Sequence, residues 1–313
     1  MKHDSEDLII SWLLEGDVSI QYLVFRDLLD IERNELREKI AKEGWGARFL
    51  SCRNRDGHWG NGFYQPKWIS SHYTLLDLKN LTISPNIKPI IETIQMIVEH
   101  NKGNDGGINP SGTITQSDVC INGMFLNYAA YFQIDENELK SVIDYILTQQ
   151  LSDGGFNCQF NRKGAKHSSL HSTISVLEGI NEYRKNNYRY RLNELLKVEK
   201  QSQEFILQHK LYKSDKTNEI IKDQFLRLSY PSRWYYDILR ALEYFADSGR
   251  KYDVRMDDAI EVLLKKRGSD KKWKLQSNHP GKTHFEMEKV GEPSRWNTLR
   301  VKRVFRYYGI NIN

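Results

Sequence analysis

The strongest constraint on this chain is a tight glycine turn that returns at a nearly constant interval. Asp56-Gly57-His58-Trp59-Gly60, Asp105-Gly106-Gly107-Ile108 and Asp153-Gly154-Gly155-Phe156 begin 49 and 48 residues apart, and Asp270-Lys271-Lys272-Trp273 follows 117 residues later. Self-similarity at such a period marks a repeat architecture. The last interval has room for two longer units, with a degenerate turn near 212–215 where the glycines are lost.

Between the turns the apolar period is helical. Leu139, Val142, Ile143, Ile146 and Leu147 fall on one stripe, and Asp135 with Glu138 forms a capping-box start for it. Ile87, Ile90, Ile91, Ile94 and Val98 repeat the stripe, with Pro89 in the tolerated first turn. Similar one-faced helices fit 34–50, 193–209 and 255–267. The segments after the turns differ: Trp68–Leu81, Gln116–Phe132, Ser168–Tyr183, Ser232–Phe245 and Ser294–Tyr308 are apolar around most of their circumference, which predicts burial on several sides. Ser19–Leu29 makes a sixth, after a short helix near 6–15. Alternating β-branched runs are absent, so a sheet is not expected. Helix pairs that cannot bury their faces alone must stack. The expected fold is therefore all-α: one α/α toroid domain over 1–313, a double-layered ring of about six helical hairpins with turns near 56–60, 105–108, 153–156, 212–215 and 270–273.

Phe49-Leu50-Ser51-Cys52-Arg53-Asn54-Arg55-Asp56-Gly57-His58-Trp59-Gly60 and Leu147-Thr148-Gln149-Gln150-Leu151-Ser152-Asp153-Gly154-Gly155-Phe156 resemble the helix-end and Asp-Gly-Gly-aromatic repeat of the squalene-hopene cyclase (terpenoid cyclase) and protein prenyltransferase β-subunit superfamily. The resemblance spans about residues 15–308. It implies an α/α ring acting as a prenyltransferase-like or cyclase-like enzyme on an isoprenoid or similar apolar substrate in a central cavity. The cyclases' Asp-x-Asp-Asp motif does not occur in this chain, and Asp257-Asp258-Ala259-Ile260-Glu261 lies on an outer-type helix, which reads as solvated surface.

The prenyltransferase side of the resemblance implies a catalytic zinc. Asp118-Val119-Cys120 matches the family's Asp-x-Cys at the start of one inner helix, and His171 matches its histidine at the start of the next. A carboxylate, a thiolate and an imidazole leave one tetrahedral position vacant, as a catalytic zinc needs. His167, one turn before His171, and Cys158 are possible additional ligands that would close the shell. The family places basic residues just before its Asp-x-Cys, yet the loop 109–117 carries none.

Other candidates share the inner-helix starts. Pro66-Lys67-Trp68, Pro231-Ser232-Arg233-Trp234 and Pro293-Ser294-Arg295-Trp296 are each expected to begin an inner helix, where helix ends favour anions and indoles offer faces to a ligand. Trp68, Arg233, Trp234, Arg295, Trp296 and Asn297 are thus candidate substrate-binding residues. His72, Tyr235 and Asp237, with His284 and Glu286 from an alternating His284, Glu286, Glu288 stretch, are candidate acid–base groups. Such a polar lining equally suits a second reading, a carbohydrate-processing, lyase-like or carbohydrate-binding ring. A third is a non-catalytic toroid whose rim binds a protein.

Composition sets the outer bounds. A hydrophobic content of 39% and an aromatic content of 12% supply a sizeable core, which argues against wholesale disorder. No apolar run approaches the ~20 residues of a membrane span, and the charged start Met1-Lys2-His3-Asp4 lacks the pattern of a secretion signal. Cys52, Cys120 and Cys158 do not make a disulfide scaffold, so a reducing cytoplasm is expected. A net charge of +5 spread along the chain, without a recognised motif, does not suggest nucleic acid. A small molecule, isoprenoid-like or saccharide, is the expected partner.

Overall fold

The computed structural model describes residues 2–111 and 115–311, apart from the side chains of residues 2–7 and 162. Met1, and Gly112, Thr113 and Ile114 of the base-free loop, lie outside the described residues. Among the described residues the chain is helical, with isolated bridges and no strand. The helices are α1 (Lys2–Leu14), α2 (Val18–Leu28), α3 (Asn34–Lys39), α4 (Gly44–Ser51), α5 (Ser71–Asn80), α6 (Lys88–His100) and α7 (Val119–Tyr131) in the first half. The second half holds α8 (Glu136–Thr148), α9 (Phe160–Lys163), α10 (Leu170–Lys185), α11 (Leu192–Gln208), α12 (Ile238–Asp247), α13 (Asp257–Lys265) and α14 (Arg295–Tyr307).

The fold is an α/α toroid. Inner helix α5 packs on α7, α7 on α10, α10 on α12, and α12 on α14. The ring closes where α14 packs against α2, while α4 bridges α2 and α5. Ion pairing and backbone contacts fasten that closure: Arg303 meets Asp27 at 2.8 Å, and Arg295 Nε donates to the Trp12 carbonyl at 2.9 Å. The layers follow the sequence pattern. α7 buries nearly every residue from Ile121 to Ala130, whereas outer α6 buries the single stripe Ile90, Thr93, Ile94, Ile97 and Val98. No helix is long and apolar enough to cross a membrane among the described residues.

The repeated turn has one mechanical job. Gly57, Gly106 and Gly154 take φ of +87°, +85° and +91°, a region that disfavours a Cβ, and Lys271 holds the same place at +63°. The chain then buries the next apolar residue, whose amide reaches a polar side chain near the start of the following inner helix. Trp59 N–H donates to Ser71 Oγ (3.0 Å), Ile108 N–H to Asn122 Oδ1 (2.6 Å), Phe156 N–H to Thr173 Oγ1 (3.0 Å) and Trp273 N–H to Thr298 Oγ1 (3.0 Å). Trp59 and Trp273 also donate their indole N–H to the carbonyls of Phe49 and Leu263, at 2.7 Å each. Beside 212–215, Leu211 is in the left-handed region and Lys213 is bridged to Ile220.

Three local expectations are corrected. The helix over 34–50 is broken at 40–43, because Gly44 turns left-handed against the Asp17 carboxylate, which accepts the Trp45 amide at 2.7 Å. Pro231-Ser232-Arg233-Trp234 does not begin a helix: Arg233 is itself left-handed (φ +55°), and α12 starts only at Ile238, capped by Asp237. Pro66-Lys67-Trp68 leads into a single 3₁₀ turn, Lys67–Ile69, before α5.

Candidate functional site

One mouth of the ring is covered by the segment 278–288, which lies over an aromatic pile. Trp234, Tyr235 and His279 stack in sequence, with centroid separations of 3.9 and 3.7 Å. Trp68 stands beside them and donates its indole N–H to the Pro280 carbonyl at 2.6 Å. Gly281 lets the covering segment come this close, since a Cβ there would sit 2.5 Å from the Trp68 ring. His284 ties the segment down through Nε2 and Thr74 Oγ1, 2.9 Å apart.

Beneath this cover is a cavity of about 250 Å³, walled by Trp68, Asp77, Tyr230, Arg233, His279 and His284, with Glu286 on its exposed rim. Its chemistry centres on two buried groups. Asp77 is 3% exposed, its Oδ1 has no hydrogen-bond partner, and burial pushes its carboxyl up to about 7 despite the pull of Arg233. Arg233 is 6% exposed, with Nε unpartnered and its guanidinium 4.6 Å from the Trp68 centroid. Burial lowers its pKa, with Asp77 acting in the opposite direction.

Tyr230 and Arg233 also border a second space in the ring interior, two lobes of about 120 and 200 Å³ that share Asn80, Glu178, Arg240, Glu243 and Arg303. This chamber is lined by charge. Arg240 grips Glu178 through two bonds of 2.7 Å, Arg300 meets Glu243 at 2.5 Å, and Lys79 meets Glu182 at 3.1 Å. Charges taken from water survive only with such partners.

The residues singled out from sequence divide accordingly. Trp68, Arg233, His284 and Glu286 meet at the mouth cavity, and Tyr235 and Trp234 belong to the aromatic pile beside it. Trp296 borders the chamber and stacks on Tyr230 at 4.3 Å. The others serve the framework. His72 is fully buried among Phe63, Tyr64, Tyr73 and Tyr128, and burial lowers it to about 3. Asp237 caps α12 by accepting the Arg240 amide, and Arg295 is spent on Trp12. Asn297 is buried and donates to the Lys274 carbonyl.

The zinc set does not fit. His171 Nδ1 accepts the Tyr236 amide at 2.9 Å, and its ring is enclosed by Phe225, Trp234, Tyr235 and Tyr236. Cys120 is hydrogen-bonded to Cys158, and that bond, burial and Asp118 push its thiol well above the usual range. His167 is exposed. Among the described residues no three His, Cys, Asp or Glu side chains gather as a metal shell.

Sequence reading missed Asp77, Arg240, Glu178, Glu243 and Arg300. The available signal was a charge inside an otherwise apolar inner helix, as in Leu75-Leu76-Asp77-Leu78.

Comparison with known proteins gives little at the level of sequence: no family model matches, and no curated protein matches. Among solved structures the chain is similar to a glycosyl hydrolase family 88 protein from Bacteroides vulgatus, at 11% identity and a TM-score of 0.45, over 76% of this chain and 73% of that one. The expected membership of the terpenoid cyclase and prenyltransferase superfamily is corrected: no family model and no curated protein of that superfamily matches the chain, and the solved structure named above carries a different family name. The isoprenoid reading falls with it on physical grounds as well, because an apolar chain in the chamber would strip water from paired ions and return nothing to them. The repeated glycine turns mark a ring architecture, which is shared by unrelated chemistries.

Proposed function

We propose that the ring binds and processes a carbohydrate, with the mouth cavity as its site. The observation that carries this reading is the pairing, on one small wall, of an indole face with a buried carboxyl that holds its proton near neutral pH. A sugar presents an apolar face and a rim of hydroxyls, which matches Trp68 on one side and Asp77, Arg233, Thr283 and His284 on the others. Asp77 is the proton donor in this reading: a carboxyl poised near 7 can protonate a leaving glycosidic oxygen. His284 and Tyr235 hold the covering segment and the aromatic wall, and transfer no proton.

The test is a screen of the full chain against mono- and oligosaccharides, reading retention and release of reducing ends. Asp77→Asn should keep retention and lose release by at least ~100-fold, the usual worth of a positioned acid. Absence of any retained saccharide would remove the reading.

A further inference from the structure

Three of the arginines around the ring interior are matched with carboxylates: Arg240 with Glu178, Arg300 with Glu243, and Arg303 with Asp27. Arg233 is not. It forms no ion pair among the described residues, its Nε has no hydrogen-bond partner, and it is as deeply buried as Arg240 and Arg300. Glu286 and Glu288 line the same cavity, but Asp77 is the one carboxyl whose charge acts on Arg233; it does not reach ion-pair distance, and burial favours its neutral form. The backbone at Arg233 is left-handed, a conformation a bulky residue holds only when its surroundings fix it. Trp68 covers one face of the guanidinium, and the rest borders both the mouth cavity and the chamber.

A buried cation without a counter-charge is costly, and ligand clamps are where such costs persist. We infer that Arg233 is an anion subsite: the ligand of the mouth cavity carries a carboxylate, sulfate or phosphate group that pairs with this guanidinium. The inference rests on the carbohydrate reading only for the body of the ligand, which would then be an acidic or esterified sugar. A guanidinium fork suits all three anions. The proximity of Asp77 adds selectivity, because an anion docked at Arg233 and a protonated Asp77 are compatible, whereas an anion beside the ionised form is not.

The experiment follows the thermal midpoint and tryptophan fluorescence of the full chain with sodium acetate, sulfate or phosphate, at ionic strength held constant with sodium chloride. At roughly ten times its Kd the matching anion should raise the midpoint by about 2 °C, and the strongest of the three identifies the ligand's charged group. Arg233→Met should unfold later than the unmodified protein in chloride alone and lose the specific shift, while Arg233→Lys should keep a smaller one. No specific shift in the unmodified protein overturns the inference, as does an equal shift in Arg233→Met, which would mean an adventitious ion only. So does Arg233→Met unfolding earlier, which would make the arginine a structural member. A specific shift without saccharide retention would keep the subsite and reject the carbohydrate reading, so the two fail separately.

Discussion

Gly123 on α7 and Gly179 on α10 face each other so closely that a Cβ on Gly179 would lie 2.4 Å from the Gly123 carbonyl oxygen. That contact sets the separation of two inner helices, and a methyl group there has backbone, not a flexible side chain, to push against. Gly179→Ala should therefore destabilise the protein by about 2–3 kcal/mol, read as a lower urea midpoint, although alanine is the better helix former.

Asp77 gives stability a pH dependence of known sign. Its folded pKa, about 7, lies above the ordinary unfolded value of 3.8, so the native state holds the proton more tightly. That contribution favours folding below the unfolded value and is lost as pH rises from about 4 to about 7. Relative to the unmodified protein, Asp77→Asn should gain stability across that window and level off above it. Parallel curves in urea titrations at pH 5 and 8 would contradict the assignment.

Histidines act in the opposite direction. Burial lowers His72 and His279 to about 3, and His171 and His284 to about 4, from the ordinary value of 6.5. Their neutral forms are fully compatible with the fold above 6.5, and stability is lost as pH falls from there toward 3. The protein should lose its near-ultraviolet dichroism in mild acid, and His279→Gln should shift that loss to lower pH.

Thr298 offers a test of the repeated latch. Thr298→Val keeps the shape but leaves the Trp273 amide buried without its acceptor, a loss of about 1–3 kcal/mol. Thr173→Val should cost a similar amount through Phe156, since the two bonds are equivalent in length and burial. Unequal losses, measured by denaturant unfolding, would show that the turns do not share one role.

Trp68→Ala should weaken saccharide retention by about 1–2 kcal/mol through loss of the stacking face. It also frees the covering segment, because the Pro280 carbonyl loses its donor. Hydrogen exchange of residues 278–288 should rise with the loss of affinity, so the two effects can be followed together.

The ring was legible in the sequence because its causes are local. A glycine turn every 48 or 49 residues and a helical apolar period needed no tertiary knowledge. The site was legible only in part. Trp68 and Arg233 were found through expected positions at inner-helix starts and His284 through the alternating stretch before the last of them, but Asp237, Arg295 and Asn297 satisfied the first criterion and are caps and fasteners. Side-chain spacing does not say whether a polar group faces a cavity or a neighbouring backbone. The expected zinc ligands do not gather for a related reason: His171 lies at the expected helix start, but its Nδ1 accepts the Tyr236 amide.

Closure of α14 onto α2 restricts how a chain like this can change over time. An open stack of hairpins can gain or lose a unit at its end with little effect on the rest. Here an added or deleted hairpin would alter the curvature at every inner-helix contact and pull Arg303 away from Asp27. Diversification is therefore confined to the segments that cross the mouth and to the side chains that face inward, while the number of repeats stays fixed.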